Sequence, residues 1–217
     1  MQDYRLACSV AIIYCYWIAV NSLFYFFMIL SDRDIRAALK KNEIIVKPKP
    51  NLEEQLGSCS LDLRLGFHFR VFKHRRFPFV DPFDSETTHG MTEEIKISKK
   101  EPYVIQPREF VLASILEWVE LPDNISARID GRSSLGRLGL VIHSTAGHID
   151  AGFKGSITME LTNIGMMPIV LYPKMRICQL VFEPLSSPAE RPYTLKPGAK
   201  YHSKDRPAET AISNEKE

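Results

Sequence analysis

Short stretches of alternating apolar and polar residues dominate this chain from residue 61 onwards. The longest, Leu61–Phe72, reads LDLRLGFHFRVF and places an apolar side chain at every second position. A period of two predicts a strand that buries one face. Shorter apolar segments separated by turn residues follow at 94–97, 103–105, 110–118, 125–129, 138–142, 156–162, 169–171 and 177–182. Many short strands at this spacing predict an all-β fold, either a sandwich, a jelly roll or a distorted barrel.

One helical pattern precedes these strands. Between residues 28 and 42, Ile35, Ala38 and Leu39 recur at helical spacing, and Ser31 stands at the N-cap position. Two other segments favour irregular structure. The polar run 84–94 predicts a mobile loop, and the polar, proline-rich residues 186–217 predict a flexible C-terminal arm.

The N-terminal residues need a separate interpretation. Residues 6–30 carry no charged side chain and are about long enough to span a bilayer. A signal peptide is less natural, because Asp3 balances Arg5 and no small-residue cleavage site follows. Since the apolar stretch runs directly into the predicted helix, we expect residues 1–27 to be an upstream-start artefact and the domain to begin at Met28. A membrane anchor is the alternative; without one, we expect a cytoplasmic protein.

The overall composition excludes several classes of function. Charged residues make up 25% of the chain and the net charge is +2, so there is no basic footprint for a nucleic acid polymer. The cysteines, which are Cys8, Cys15, Cys59 and Cys178, form no CxxC pair and fit a reducing compartment. The H-x-E and P-C-x-x-C motifs of zinc deaminases are absent, which predicts no zinc and no protein-held metal.

Candidate chemistry is concentrated in residues 131–155, which read GRSSLGRLGLVIHSTAGHIDAGFKG. The side chains suited to phosphate oxygens are Arg132, Ser133, Ser134 and Arg137. Two acids follow, Asp150 in a turn and Glu160 in a predicted strand. The segment therefore predicts an anion-binding turn beside a site of proton transfer. The alternatives are a surface ion pair for Glu160 and turn capping for Asp150, and His143 is expected to be structural.

Several motifs together resemble the dCTP deaminases, relatives of the trimeric dUTPases. They are MILSDRDI, SLDLRLG, the long segment GRSSLGRLGL to ME, LYPKMRICQLVFEPL, RPY and GAKY, and they extend from residue 28 to about residue 201. The resemblance implies a dUTPase-like distorted barrel or jelly roll over 28–185 and an arm, 186–217, that closes over the nucleotide. It also implies a homotrimer with active sites shared between subunits.

The resemblance implies an activity as well. This activity is hydrolysis of the 4-amino group of dCTP, giving dUTP and ammonia, with Mg²⁺ bound through the triphosphate and no zinc. Some members of the family also cleave the triphosphate and release dUMP and diphosphate. Gly147 leaves space near the expected α-phosphate, which keeps this bifunctional alternative open. A second alternative is a non-catalytic jelly-roll binding module.

Residue roles follow from the same resemblance. Glu160 is the general base at the cytosine ring, Ser133 holds the attacking water and Arg137 supports developing charge. The phosphates would contact Arg132, Ser134 and the backbone at Leu135 and Gly136. The nucleoside and lid contacts would come from Asp150 on the 3′-hydroxyl, from backbone groups of Thr158 and Met159, and from Tyr193, Lys200 and Lys204. Lys204 stands where the family usually has glutamine; lysine keeps a donor but adds charge, so here it would be a phosphate ligand.

Overall fold

The protein is described from a computed structural model that covers residues 28–73, 79–143, 145–201 and 204–212. The interpretation of residues 1–27 lies outside these residues. The helices are α1 (Asp32–Lys41), α2 (Leu52–Gln55), α3 (Ser85–Thr88) and α4 (Ser133–Gly136). The strands are β1 (Ile45–Lys47), β2 (Leu61–Phe72), β3 (Thr92–Lys96), β4 (Tyr103–Ile105), β5 (Phe110–Glu120), β6 (Ile125–Gly131), β7 (Leu140–Val141), β8 (His148–Ile149), β9 (Lys154–Asn163), β10 (Ile169–Leu171) and β11 (Arg176–Pro184).

Nine strands form one antiparallel sheet in the order β7-β9-β5-β2-β11-β6-β8, with β1 on β5 and β3 on β2. β4 and β10 form a separate antiparallel pair. The pairing of β5 shifts register against β2 and again against β9. Such shifts bend strands, so a long sheet can curl around a core. The alternation predicted for 61–72 is confirmed, because β2 has these bounds and buries Leu61, Leu63 and Leu65 completely.

β2 changes partner along its length and so connects the two ends of the sheet. Its first residues pair with β11 as far as Arg64, and pairing with β5 begins at Leu65. Gly66 lies at this change, where an added Cβ would come within 2.8 Å of the Ser114 carbonyl oxygen. Glycine therefore permits the close approach of β2 to β5 at this point.

The predicted N-terminal helix is also confirmed. α1 begins after Ser31, whose side chain accepts a hydrogen bond from the Asp34 amide, and it ends at Asn42 in the left-handed conformation. Ile35 and Ala38 are buried against the sheet core. The helix therefore has the N-cap and apolar face that its sequence predicts.

The prediction of an irregular loop over 84–94 is wrong, because these residues contain a short helix and the beginning of a strand. Asp84 caps α3 by accepting from the Glu86 amide, and β3 begins at Thr92. Thr87 and Thr88 are buried, and the Thr88 hydroxyl donates to the Asp84 carbonyl oxygen at 3.0 Å. These local bonds give a polar sequence a fixed conformation.

No helix in the described part of the chain is both long and apolar enough to cross a membrane.

Candidate active site

A cavity of about 610 Å³ lies between β9, the turn after β8, β3 and the C-terminal arm. Five residues with predicted roles line it, namely Asp150, Thr158, Glu160, Tyr193 and Lys204. Its walls also include apolar side chains such as Ile157 and Phe153. A concave apolar site with a few polar groups is typical of small-molecule binding.

Glu160 faces this cavity from β9 and is half-buried. Its strand pairs with β5, where Leu112 stands opposite. Glu160 Oε2 accepts a hydrogen bond of 2.7 Å from the Thr145 hydroxyl, and the Glu160 amide donates to His143 Nδ1 at 3.4 Å. A carboxylate has further acceptor sites on its second oxygen. The side chain is therefore held at the cavity wall with capacity for a ligand.

Asp150 also lines the cavity, from the turn that follows β8. Its carboxylate is 3.7 Å from His148 Nε2 and 3.7 Å from Lys196 Nζ. The side chain retains 45% of its exposure. These are long, exposed ion pairs of low energy, so they leave the acid available to a polar ligand.

The C-terminal arm contacts the residues that follow Asp150. The Tyr193 amide donates to the Ala151 carbonyl oxygen at 2.8 Å, and the Tyr193 ring packs on Phe153 with centroids 5.8 Å apart. Gly152 has φ +78°, and a Cβ there would collide with Pro192. Glycine therefore supplies both the backbone conformation and the space for the arm.

A second cavity of about 460 Å³ holds the predicted phosphate residues. Its lining includes Arg132, Ser133, Ser134 and Gly136. Asp62 on β2 faces the same cavity, and its Oδ2 is 3.2 Å from Arg132 Nε and 3.2 Å from Arg176 Nη1. The ion pairs fix Arg132 with its guanidinium at the cavity, which favours anion binding.

The backbone of α4 limits which amides can reach a phosphate. The amides of Leu135 and Gly136 donate to the Arg132 carbonyl oxygen at 2.9 and 3.0 Å. The amides of Ser133 and Ser134 begin the turn, where a helix has no internal acceptor for them. Among these residues Leu135 is buried, whereas the two serines are exposed.

Within one chain the structure does not bring all the predicted residues together. Ser133 and Arg132 line one cavity, whereas Glu160 lines the other. Arg137 is exposed at the end of α4, Lys200 is half-buried in the arm, and the Met159 side chain is fully buried in the core. Because its side chain lies in the core, Met159 can offer a ligand only its backbone groups.

Sequence reasoning missed two residues at the Glu160 cavity. His143, expected to be structural, lines the cavity and contacts the Glu160 amide. Thr145 binds the Glu160 carboxylate. Both residues lie in the segment 131–155 that holds the other candidate residues. Their closeness to Asp150 in the sequence was therefore the available signal.

In the part of the chain that the structure describes, no group of three or more His, Cys, Asp or Glu side chains is arranged to hold a metal ion.

Burial raises the pKa of the Cys178 thiol well above its usual range, and the nearby carboxylates Glu117 and Asp62 add to this effect.

Comparison with known proteins gives a family. The model of the family described as dCTP deaminase-like matches residues 29–185. A dCTP deaminase of Thermomicrobium roseum is 47% identical over 188 residues, covering 87% of this chain and 95% of that protein. The relative from Dictyoglomus thermophilum, named dCTP deaminase, dUMP-forming, is 46% identical over 186 residues, covering 86% and 95%. A dUMP-forming relative from Methanosphaera stadtmanae is 49% identical over 165 residues, covering 76% and 83%.

A solved structure supports the fold. It is a 2′-deoxycytidine 5′-triphosphate deaminase from Agrobacterium tumefaciens, with a TM-score of 0.56 and 24% identity. The match covers 72% of this chain and 46% of that one, so this chain spans about half of its length. The protein belongs to the dCTP deaminase-like family. Membership and this likeness confirm the predicted all-β fold.

Proposed function

We propose that this protein hydrolyses the 4-amino group of dCTP, with Glu160 as the proton-transferring group. The observation that carries the proposal is a carboxylate held on β9 at the wall of a nucleotide-sized cavity. Asp150 stands in the same cavity, where it would accept the 3′-hydroxyl of the deoxyribose. The high identity to named dCTP deaminases over most of the chain supports the substrate.

The chemistry needs one acid that can exchange protons. Water oxygen attacks C4 of cytosine while Glu160 accepts a water proton and delivers a proton to N3. Glu160 then moves the proton of the new C4 hydroxyl to the amino nitrogen, so that the bond from C4 to this nitrogen breaks, ammonia leaves and the C4 carbonyl of a uracil ring forms. The Thr145 hydroxyl would keep the carboxylate oriented during this exchange, because it already binds Oε2.

The separation of the two cavities supports an assembly in which a second copy completes each site. In one chain, Ser133 and Arg132 face a different cavity from Glu160. A neighbouring chain would bring its turn 132–137 to the Glu160 cavity, with Ser133 at the water and Arg137 at the developing charge. We therefore propose the homotrimer expected from the sequence, since closed symmetry gives every chain the same shared site.

Magnesium would enter with the triphosphate. Mg²⁺ prefers oxygen ligands and is commonly held by substrate phosphates with few protein groups. The turn presents Arg132 and two serines, which suit phosphate oxygens rather than the ion itself. These residues fit a nucleotide that carries its own magnesium. When bound, the ion would neutralise phosphate charge.

The names of the relatives favour dUMP over dUTP as the product. The proteins of Dictyoglomus thermophilum and Methanosphaera stadtmanae, among others, are named dUMP-forming. Gly147 lines the Glu160 cavity and places no side chain there. We propose that a second water attacks the α-phosphorus in this cavity: its oxygen bonds to phosphorus, the bond to the bridging oxygen breaks, diphosphate leaves, and the protons of the water pass to solvent.

The decisive experiment is a product assay with dCTP. Purified protein is freed of metal with EDTA, resupplied with Mg²⁺ alone, and its products are separated as dUTP, dUMP and diphosphate. We expect ammonia, dUMP and diphosphate, with turnover lost by at least about a thousandfold in Glu160→Gln and nucleotide binding retained. Glu43→Gln is the matched control, because Glu43 is exposed and pairs only with Lys41 in the described structure.

Each other outcome has a defined meaning. Accumulation of dUTP without dUMP would support deamination alone, which is the simpler expectation from the sequence. Activity that needs zinc in addition to magnesium would contradict a zinc-independent reaction. Binding without ammonia release from the parent would favour the non-catalytic module.

A further inference from the structure

The last described part of the arm is fastened to β2 and β3 by a cluster that the proposed chemistry does not use. Glu209 Oε1 lies 2.6 Å from the Thr92 hydroxyl and 3.1 Å from Arg70 Nη1. Arg206 Nη1 lies 3.4 Å from Glu94 Oε1 on the same strand. We call these five residues, Arg70, Thr92, Glu94, Arg206 and Glu209, the arm clamp.

Glu209 is the centre of the arm clamp. Its carboxylate also accepts from the Gly90 and Thr92 amides, each at 3.2 Å, and only 23% of the side chain is exposed. Arg70 contributes a second bond, because its Nε donates to the Pro207 carbonyl oxygen at 2.7 Å. Several charge-assisted bonds to one half-buried carboxylate exceed the energy of an ordinary surface pair.

The clamped segment forms part of the wall of the Glu160 cavity. Lys204, Glu209 and Ile212 line it from the arm, and Glu160 and Thr158 line it from β9. The Lys204 carbonyl oxygen also accepts from the Ser156 amide on β9 at 2.8 Å. The arm is thus attached at β9, β2 and β3 of the same chain that provides Glu160.

We propose that Glu209 is a positioning residue, which through the arm clamp holds residues 204–212 as a wall of the nucleotide site. This inference rests on the proposed function, because it assigns the cavity to dCTP. Glu209 touches no reacting atom. Its effect is on nucleotide affinity, since the docked arm completes the cavity and covers the bound ligand. The lid over Glu160 belongs to the same subunit as Glu160 itself.

The test uses the full chain and two independent measurements. Glu209→Gln keeps an oxygen acceptor but removes the charge, so we expect KM for dCTP to rise about fivefold, or about 1 kcal/mol, with kcat within about twofold. In the ligand-free protein, we expect trypsin to cut after Lys200 and Lys204 several times faster. Thr92→Val should behave like Glu209→Gln, and Thr92→Ser should recover most of the lost affinity because it keeps the hydroxyl.

Glu93→Gln is the matched control. Glu93 is the next residue on β3, points to the opposite face and pairs with Lys73 at 2.7 Å, so both measurements should stay at parental values. Parental trypsin rates in Glu209→Gln would overturn the arm clamp, whatever the parent's activity. Faster cleavage with unchanged KM would overturn the positioning role. Failure of the parent to act on dCTP refutes the proposed function alone, because the trypsin rates do not depend on it.

Discussion

Glu117 and Arg64 form an ion pair inside the sheet, with Glu117 Oε1 2.6 Å from Arg64 Nε and the Glu117 side chain fully buried. The same carboxylate accepts from the Arg64 amide at 2.9 Å and from Gln55 Nε2 at 3.4 Å. The pair joins β5 to β2 where β2 leaves β11. It therefore connects the strands that position the two cavities.

Glu117→Ala should lower the free energy of unfolding by about 3 kcal/mol. The substitution leaves a mostly buried guanidinium without its carboxylate. Denaturant unfolding at one fixed protein concentration measures the change. Glu43→Ala, which removes an exposed pair with Lys41, should stay within about 0.5 kcal/mol of the parent. Equal losses in the two variants would show that the buried pair has no special contribution.

The two cysteines of the described domain should differ in reactivity. Cys178 is fully buried and its thiol pKa is raised, so it stays a neutral thiol, whereas Cys59 is half-buried. Only thiolates react readily with alkylating reagents. Peptide mapping after brief treatment of native protein should find Cys59 modified and Cys178 intact, and both modified after denaturation. Rapid native labelling of Cys178 would contradict its position in the core.

Glu209 should stay ionised to a lower pH than an ordinary glutamate, because its pKa is lowered. Burial raises the pKa of Glu209, but the hydrogen bonds from Thr92 and Gly90 and the charge of Arg70 outweigh burial and lower it. The carboxylate therefore stabilises arm docking fully above the ordinary glutamate pKa of about 4.3. This contribution is lost as the pH falls through the lowered pKa of the folded state.

NMR can follow this titration through the Gly90 and Thr92 amide protons, because both donate to Glu209. The midpoint should lie below about 4.3, and Glu209→Gln should abolish the inflection. Glu93→Gln should leave it in place. A midpoint at or above the ordinary value would mean that the arm is not docked in solution as described.

Local patterns predicted the parts of the fold that local interactions determine. The Ser31 cap and the period of two over Leu61–Phe72 act between near neighbours, and both elements formed as expected. The capping signal of Asp84 was equally local but was hidden in a polar run that favoured a loop. The short strand β1 carries too few residues for a period to be recognised.

The candidate site was only partly predictable for a different reason. Ser133 and Glu160 were both predicted from the continuous segment 131–160. The strands between them, however, direct the two side chains to separate cavities. The contact between Glu209 and Arg70 joins the arm to β2, and no spacing rule connects such distant positions. Tertiary packing alone determines these relationships.

Under the proposed function, the division of Ser133 and Glu160 between two cavities has a genetic consequence. If each site is shared between subunits as proposed, chains with Ser133→Ala and chains with Glu160→Gln would each be inactive, yet they would damage opposite halves of that site. In a random mixture assembled as trimers, about a quarter of the sites would combine two undamaged halves. Two such alleles co-expressed in one cell should complement each other, whereas sites built within single chains would give no recovery.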